Sequence, residues 1–413
     1  MINDTIISKI IKDAMERAAL NDPVKSNLYL DEQPKEADDI ILAGKQTIYI
    51  KQPSIVVFSD DNPLYNWAHE CRYLLYNALS GEFIESIDAR FPPYMFHIPE
   101  TYQMITNAVP FSVGVDNHIN INLWENIEPP FPFYKGERYA VLFSGASEYR
   151  HVNDLEYMYR LLTGIYKFSP KNIFVLNYDG TYFENTTIPK YSCPGNKPQT
   201  LTWPGDQTAY RMVVNNSGAR SSLDGVLNEL KSKLIEGDML FIHTNNHGDR
   251  SENDQGVYES CICMYAPPGT LGFYYASEFV AKLAELPKFG ELIVEMEQCN
   301  SGGFQSPILN NSPAAKTIFI AAAGADSPSK GGRFFDPFTN DWTNYITGLL
   351  DTASDTKTAV ANTFAKPTFV AVSAMNAFRM ASGSVADLDT PVEGDNPPDS
   401  GEGMFLGYKT VDS

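Results

Sequence analysis

The sequence predicts an α/β protein: a mostly parallel sheet flanked by helices, preceded by a small, mostly-β N-terminal domain. Three observations lead there. After residue 135, apolar runs rich in β-branched residues alternate with stretches of helical periodicity, the pattern of a parallel sheet covered on both faces. Before it, short β-like runs dominate, separated by turn residues. Between the two, Glu128-Pro-Pro-Phe-Pro-Phe-Tyr134 is Pro-rich and reads as a linker. The 413 residues have room for both parts, placed at 1–134 and 135–413.

The elements follow in order. Ile2, Ile6, Ile7, Ile10, Ile11 and Met15 recur at helical spacing with charges between them, which predicts an amphipathic helix docked on a domain. Strands are expected at 47–51, 55–58, 72–76 and 83–89, the last two joined through Asn77-Ala-Leu-Ser-Gly81 as a hairpin. In the second part, strands are expected at 138–144, 172–177, 238–244, 291–297 and 316–323. Helices fit at 153–166, 223–235, 277–286, 341–350 and 369–381. Residues 178–221 and 383–403 are rich in Gly, Pro, Asn, Asp and Ser and read as long surface loops, the second too irregular for a calcium loop.

Composition narrows the function. A net charge of −20 argues against a nucleic-acid phosphate groove, which wants clustered Lys and Arg. No run approaches the roughly 18 apolar residues of a transmembrane helix, and the N-terminus carries no signal peptide pattern. A cytoplasmic setting is expected, with export by an unrecognised route as the alternative. The five cysteines are scattered and odd in number, so a disulfide framework is not expected. Cys261 and Cys263 lie in an apolar stretch where strand alternation puts both on one face, as core thiols.

Two segments carry chemistry. Asn246-His247-Gly248-Asp249 follows the run Met239 to Ile242. Glu297-Gln298-Cys299-Asn300-Ser301-Gly302-Gly303 follows Glu291 to Met296. Ligands and reacting groups gather at the carboxyl ends of strands in such sheets. A His and a Cys placed there supply a nucleophile and a group to manage its proton. The glycines after Cys299 let backbone approach a substrate closely and leave amides as oxyanion donors. His243 and His247 also form His-x-x-x-His, but they end a strand and lack the Glu of the zinc motif. On a strand they stand ~13 Å apart. His243 is read as a packed strand residue, and neither a metal nor a cofactor is expected.

These segments resemble the caspase–legumain clan of cysteine peptidases, more closely the legumain side. Tyr139-Ala-Val-Leu-Phe-Ser-Gly145, then Tyr149-Arg150-His151 and a helix carrying Asp154, resembles the first strand and following segment of legumains. Ile318 to Gly324 resembles their next strand, and Asn340-Asp341-Trp342 their Gly-Asp-Trp. The resemblance covers roughly 136–350. Phe58-Ser-Asp-Asp61 through Pro92-Pro-Tyr94 resembles a segment of bacterial proteins of this kind, implying a bacterial member with an extra N-terminal domain. The resemblance implies a caspase-like fold and a peptidase acting on a peptide or protein substrate after Asn, or after Asp at low pH. It also implies zymogen activation and possible ligase activity. It implies catalysis by His247 and Cys299, with the backbone amides of Gly248 and Cys299 holding the oxyanion. Arg150, Glu297 and Asp341 match the groups that hold the P1 side chain; a structural salt-bridge cluster is the alternative. Glu148 replaces an Asn that orients the His, and a carboxylate there would raise the imidazole pKa. Asn246 stands where Asp is common. The N-terminal part is a pro-region, a docking module or a buttress. A caspase-fold scaffold without activity is the alternative function. The sequence leaves the oligomeric state open.

Overall fold

The structure, a computed structural model, describes residues 4–19, 26–44, 46–63, 69–93, 101–107, 136–182, 203–267, 270–332, 334–346, 373–385 and 389–406. They fall into two units, residues 4–107 and 136–406. The linker expected at 128–134 lies outside the described residues. No helix among the described residues is long and apolar enough to cross a membrane.

The first unit opens with helix α1 (Asp4–Ala19). Strands β1 (Asn27–Asp31), β2 (Ile40–Ala43), β3 (Gln46–Tyr49), β4 (Ser54–Asp60), β5 (Cys71–Asn77), β6 (Phe83–Ala89) and β7 (Tyr102–Asn107) follow. Five of them form an antiparallel sheet in the order β6-β5-β4-β1-β7, while β2 and β3 pair as a separate hairpin. The apolar stripe of α1 works as expected at Ile10, which is fully buried, with its neighbour Ala14, against Leu28, Ile55, Val57 and Leu74, while Ile2 lies outside the described residues. Met15 differs: it sits off the stripe, 47% exposed. The β5–β6 turn forms where the sequence placed it. Asn77 Oδ1 accepts the Leu79 and Ser80 N–H groups, and Gly81 takes φ +65°, a left-handed value suited to glycine.

The second unit is built on a seven-stranded sheet. Its elements are β8 (Arg138–Ser144), α2 (Tyr149–Arg160, continued by a π turn), β9 (Ile173–Asn177), β10 (Val214–Asn216), α3 (Arg220–Lys233) and β11 (Met239–Thr244). Then come β12 (Gly248–Glu252), β13 (Tyr258–Ala266), β14 (Thr270–Tyr275), α4 (Ala276–Leu283), β15 (Phe289–Met296), α5 (Gln305–Asn311), β16 (Ala314–Ala321), α6 (Pro337–Ile346), α7 (Ala374–Ser384) and β17 (Val392–Asn396). The order is β10-β9-β8-β11-β15-β16-β17, parallel except for β17. Alternation sends Met239 and Phe241 of β11 into the core under α2, α6 and α7. Leu240 and Ile242 enter the opposite core, under α3 and α4. Both faces being covered is why these strands read as near-continuous apolar runs.

Two segments read as loops need correction, and one expected helix is displaced. The segment 383–403, read as loop, contains β17, an antiparallel edge strand whose Val-Glu-Gly-Asp-Asn sequence carries no apolar signal. The segment 178–221, also read as loop, contains β10 and the start of α3, while residues 183–202 lie outside the described residues. β12, β13 and β14 form a small antiparallel sheet, in which Cys261 and Cys263 are fully buried. The expected helices at 341–350 and 369–381 are α6, starting four residues earlier, and α7; residues 347–372 lie outside the described residues.

Candidate active site

Strand register brings the two predicted segments level. Thr244 of β11 pairs with Met296 of the adjacent β15, so His247 and Cys299 each stand three residues beyond the paired ends. Thr244 extends the tie: its carbonyl accepts the Glu297 N–H at 2.9 Å, and its hydroxyl donates to Gln298 Oε1 at 2.8 Å. The backbones then touch. A Cβ on Gly248 would lie 2.3 Å from the Cys299 carbonyl oxygen, so only glycine permits this approach. The Cys263 N–H donates to the His247 carbonyl, which makes 247 and 249 the hydrogen-bonded positions of the β12–β13 ladder. The alternation of an antiparallel ladder therefore turns the Gly248 N–H away from β13.

Glu148 reaches His247 from a third strand end. It is the N-cap of α2, extended at φ −122°, just past β8. Its Oε1 lies 3.1 Å from His247 Nε2, and its Oε2 accepts from Arg150. Burial by itself would raise this carboxyl, but the charges and hydrogen bonds of Arg150 and His247 outweigh it and hold the pKa at about 2. Glu148 is thus an anion that can only accept, so His247 Nε2 carries a proton. His151 packs edge-to-face on His247 with ring centroids 4.9 Å apart. Its Nδ1 accepts the Glu148 N–H at 3.0 Å. Burial, then the nearby Arg150 and His247 charges, push its pKa well below the usual histidine value. His151 is accordingly neutral with its proton on Nε2.

Cys299 is fully buried. The Ser329 N–H donates to its Sγ at 3.4 Å. Asn300, left-handed at φ 60°, gives its N–H to Ser327 O at 2.8 Å. The two glycines that follow serve packing instead of oxyanion binding: the Gly302 N–H goes to Ala323 O and the Gly303 N–H to Asn300 O. A Cβ on Gly303 would lie 2.0 Å from Ser260 Oγ.

The three expected pocket residues are only partly brought together. Glu297 is fully buried; its Oε2 accepts the Thr339 N–H at 2.7 Å, and its Oε1 has no partner among the described residues. Burial, then the charges of Asp336, Asp389 and Glu295, push its pKa well above the usual range. Arg150 Nε lies 2.8 Å from Asp336 Oδ1, not against Asp341. Asp341 instead bonds Ser384 and Asn340. The reason is helical rise. α6 begins at Pro337, so Asp336 stands at its sheet-facing end, while Asp341 lies ~7.5 Å farther along the axis. The readable signal for Asp336 is the Pro after it, a residue favoured at the first helical position. Burial raises the Asp336 pKa to about 6, with Arg150 pulling it back down. Asp154, the helix acid, holds the frame: its Oδ2 accepts both Asn245 Nδ2 at 2.6 Å and the Asp336 N–H at 2.9 Å. His243, the other histidine of the spacing, lies fully buried on β11, bonded to Glu295.

The model of the Peptidase C13 family matches residues 138–365. No curated protein matches this sequence. The crystal structure of protein GSU0716 from Geobacter sulfurreducens is 10% identical, with a TM-score of 0.41, covering 66% of this chain and 99% of that one.

Proposed function

The chain belongs to the peptidase C13 family, the legumain family of cysteine peptidases, and on that premise we propose that it is an endopeptidase that uses a His247–Cys299 dyad to cut after asparagine. The observation that carries the dyad is the Glu148–His247 contact beside the Gly248–Cys299 backbone contact. With the proton on Nε2, Nδ1 holds the lone pair that takes the Cys299 thiol proton. The thiolate attacks the scissile carbonyl. The Gly248 and Cys299 N–H groups receive the oxyanion, and the Glu148 carboxylate stabilises the imidazolium. His247 then gives its Nδ1 proton to the leaving amine, and a thioester remains on Cys299. Water resolves it to an acid, or a second amine to a new peptide bond.

The P1 pocket combines Arg150 and Glu297, with Asp336 in the place first given to Asp341. A primary amide offers one acceptor oxygen and a donor NH2. Arg150, steadied by Asp336, donates to the oxygen; Glu297 Oε1, which has no partner among the described residues, takes the NH2, and that hydrogen bond favours the ionised carboxylate that burial opposes. In the state described here Ser329 covers Cys299, so substrate entry requires residues 327–330 to withdraw, as in a latent zymogen. That same burial favours a second reading, a scaffold on this fold without activity.

Fluorogenic peptides with Asn, Asp, Arg or Lys at P1, cut by wild type beside Cys299→Ala, test the reading. Asn-selective cleavage that disappears in the variant is expected. Cleavage by Cys299→Ala rejects the nucleophile, and preference for Arg or Lys rejects the pocket. Without cleavage, an alkylating probe that leaves Cys299 unmodified even after limited proteolysis selects the scaffold.

A further inference from the structure

Beneath the pocket lies a pair of titratable groups that the peptide-bond chemistry does not use. His243 and Glu295 are register partners on β11 and β15. Both are fully buried, and His243 Nδ1 is hydrogen-bonded to Glu295 Oε2. The other oxygen, Glu295 Oε1, accepts the Thr339 hydroxyl at 2.9 Å. Thr339 is itself fully buried in the first turn of α6, and its backbone N–H is the donor to Glu297 Oε2 at 2.7 Å. One threonine therefore bridges two carboxylates that stand two residues apart, on the same face of the sheet.

Each link has a physical reason. The Thr339 N–H is one of the donors a helix N-terminus leaves without an intrahelical partner, and a carboxylate is favoured there. The side chain is β-branched and stiff at χ1, so anchoring its hydroxyl on Glu295 also anchors its backbone. His243 supplies the second hydrogen bond that a buried Glu295 requires. The first turn of α6 follows directly on Asp336, which contacts Arg150. A shift at Thr339 thus moves the acceptor and the support of the donor together.

We infer that Thr339, fixed by the buried Glu295–His243 pair, is a positioning residue for substrate selection: it sets where Glu297 Oε1, the oxygen with no partner among the described residues, stands in the P1 pocket. The inference rests on the pocket reading given above. A threonine that merely stabilised the fold would change the melting temperature and affect all substrates alike. A positioning residue changes the ratio between substrates.

The test uses the full chain and peptides that differ only at P1, with Asn, Asp, Lys or Ala. Thr339→Val keeps shape and backbone N–H but removes the hydroxyl; Thr339→Ser keeps the hydroxyl. Thr339→Val is expected to lower kcat/KM for the preferred P1 residue about 10-fold, chiefly through KM, while poor substrates change little. Thr339→Ser restores the preference. His243→Gln, which weakens the hold on Glu295, moves the ratio the same way and stands in if Thr339→Val does not fold. A P1 preference unchanged in both Thr339→Val and His243→Gln overturns the inference and leaves the asparagine reading intact. A wild-type preference for another residue that still collapses in Thr339→Val rejects asparagine alone and keeps the inference. A wild type indifferent to P1 removes the pocket and the inference with it.

Discussion

Glu148 is the residue on which the site's electrostatics turn. Its carboxyl sits between a guanidinium and an imidazole, buried, and is kept ionised by both. An amide at that position still offers an oxygen to His247 Nε2–H but brings no charge to stabilise the imidazolium. Glu148→Gln is therefore expected to reduce kcat by about 10²-fold, at the low end for impairing a positioned base, with KM changed much less. Steady-state kinetics on the best peptide check this; a kcat within twofold of wild type would show that the charge is irrelevant. The identity of this residue was visible in the sequence as a departure at the legumain Asn. Its partnership with Arg150 was not, because two side chains on a capping turn face each other only once the turn has formed.

At the scale of elements, the site exists because three parallel strands end level and their following turns converge. Gly248 opens β12 immediately against Cys299, three residues past the end of β15, and the approach is too close for a side chain. Gly248→Ala forces a Cβ against the Cys299 carbonyl, so one of the two turns must move. The expected result is a loss of about 10²-fold in kcat/KM, the effect of a displacement near 1 Å. A destabilisation of about 1–3 kcal/mol should accompany it, as for overpacking. Activity assays and thermal melts read the two separately, and an unchanged variant would contradict the contact. The central strands were legible because each is buried on both faces and spells an apolar run. β17 was not, since an edge strand takes its place from pairing with β16 and needs no apolar pattern. Strand β1 escaped notice as well: it is five residues long, and its polar ends Asn27 and Asp31 are fully buried.

Across the second unit, buried acids make stability depend on pH. Asp389 follows α7, and its Oδ1 accepts the Lys330 N–H at 2.7 Å, on the segment that covers Cys299. Burial raises its pKa to about 7 from an unfolded value of 3.8, with the Lys330 hydrogen bond opposing. Between those values the folded chain keeps a proton that the unfolded chain has lost. Stability from this group therefore falls as pH rises through that window. Asp389→Asn keeps the acceptor oxygen and cannot ionise. Its melting temperature relative to wild type should rise from no difference near the unfolded value, 3.8, to a plateau above about 7. A constant offset across that range would show that Asp389 does not titrate in the folded chain. By itself the sequence determined the class of fold, the positions of the central strands and the two segments that carry His247 and Cys299. Burial and glycine geometry are written locally, in runs of a few residues. Only the tertiary structure decided which acid meets Arg150, since five residues along a helix are enough to carry Asp341 away and leave Asp336 in place. It also decided that Ser329 lies over Cys299 and that Thr339 joins Glu295 to Glu297. Those contacts join residues 30 to 44 positions apart, and no local pattern encodes them because the sheet's register, not the chain's order, makes them neighbours.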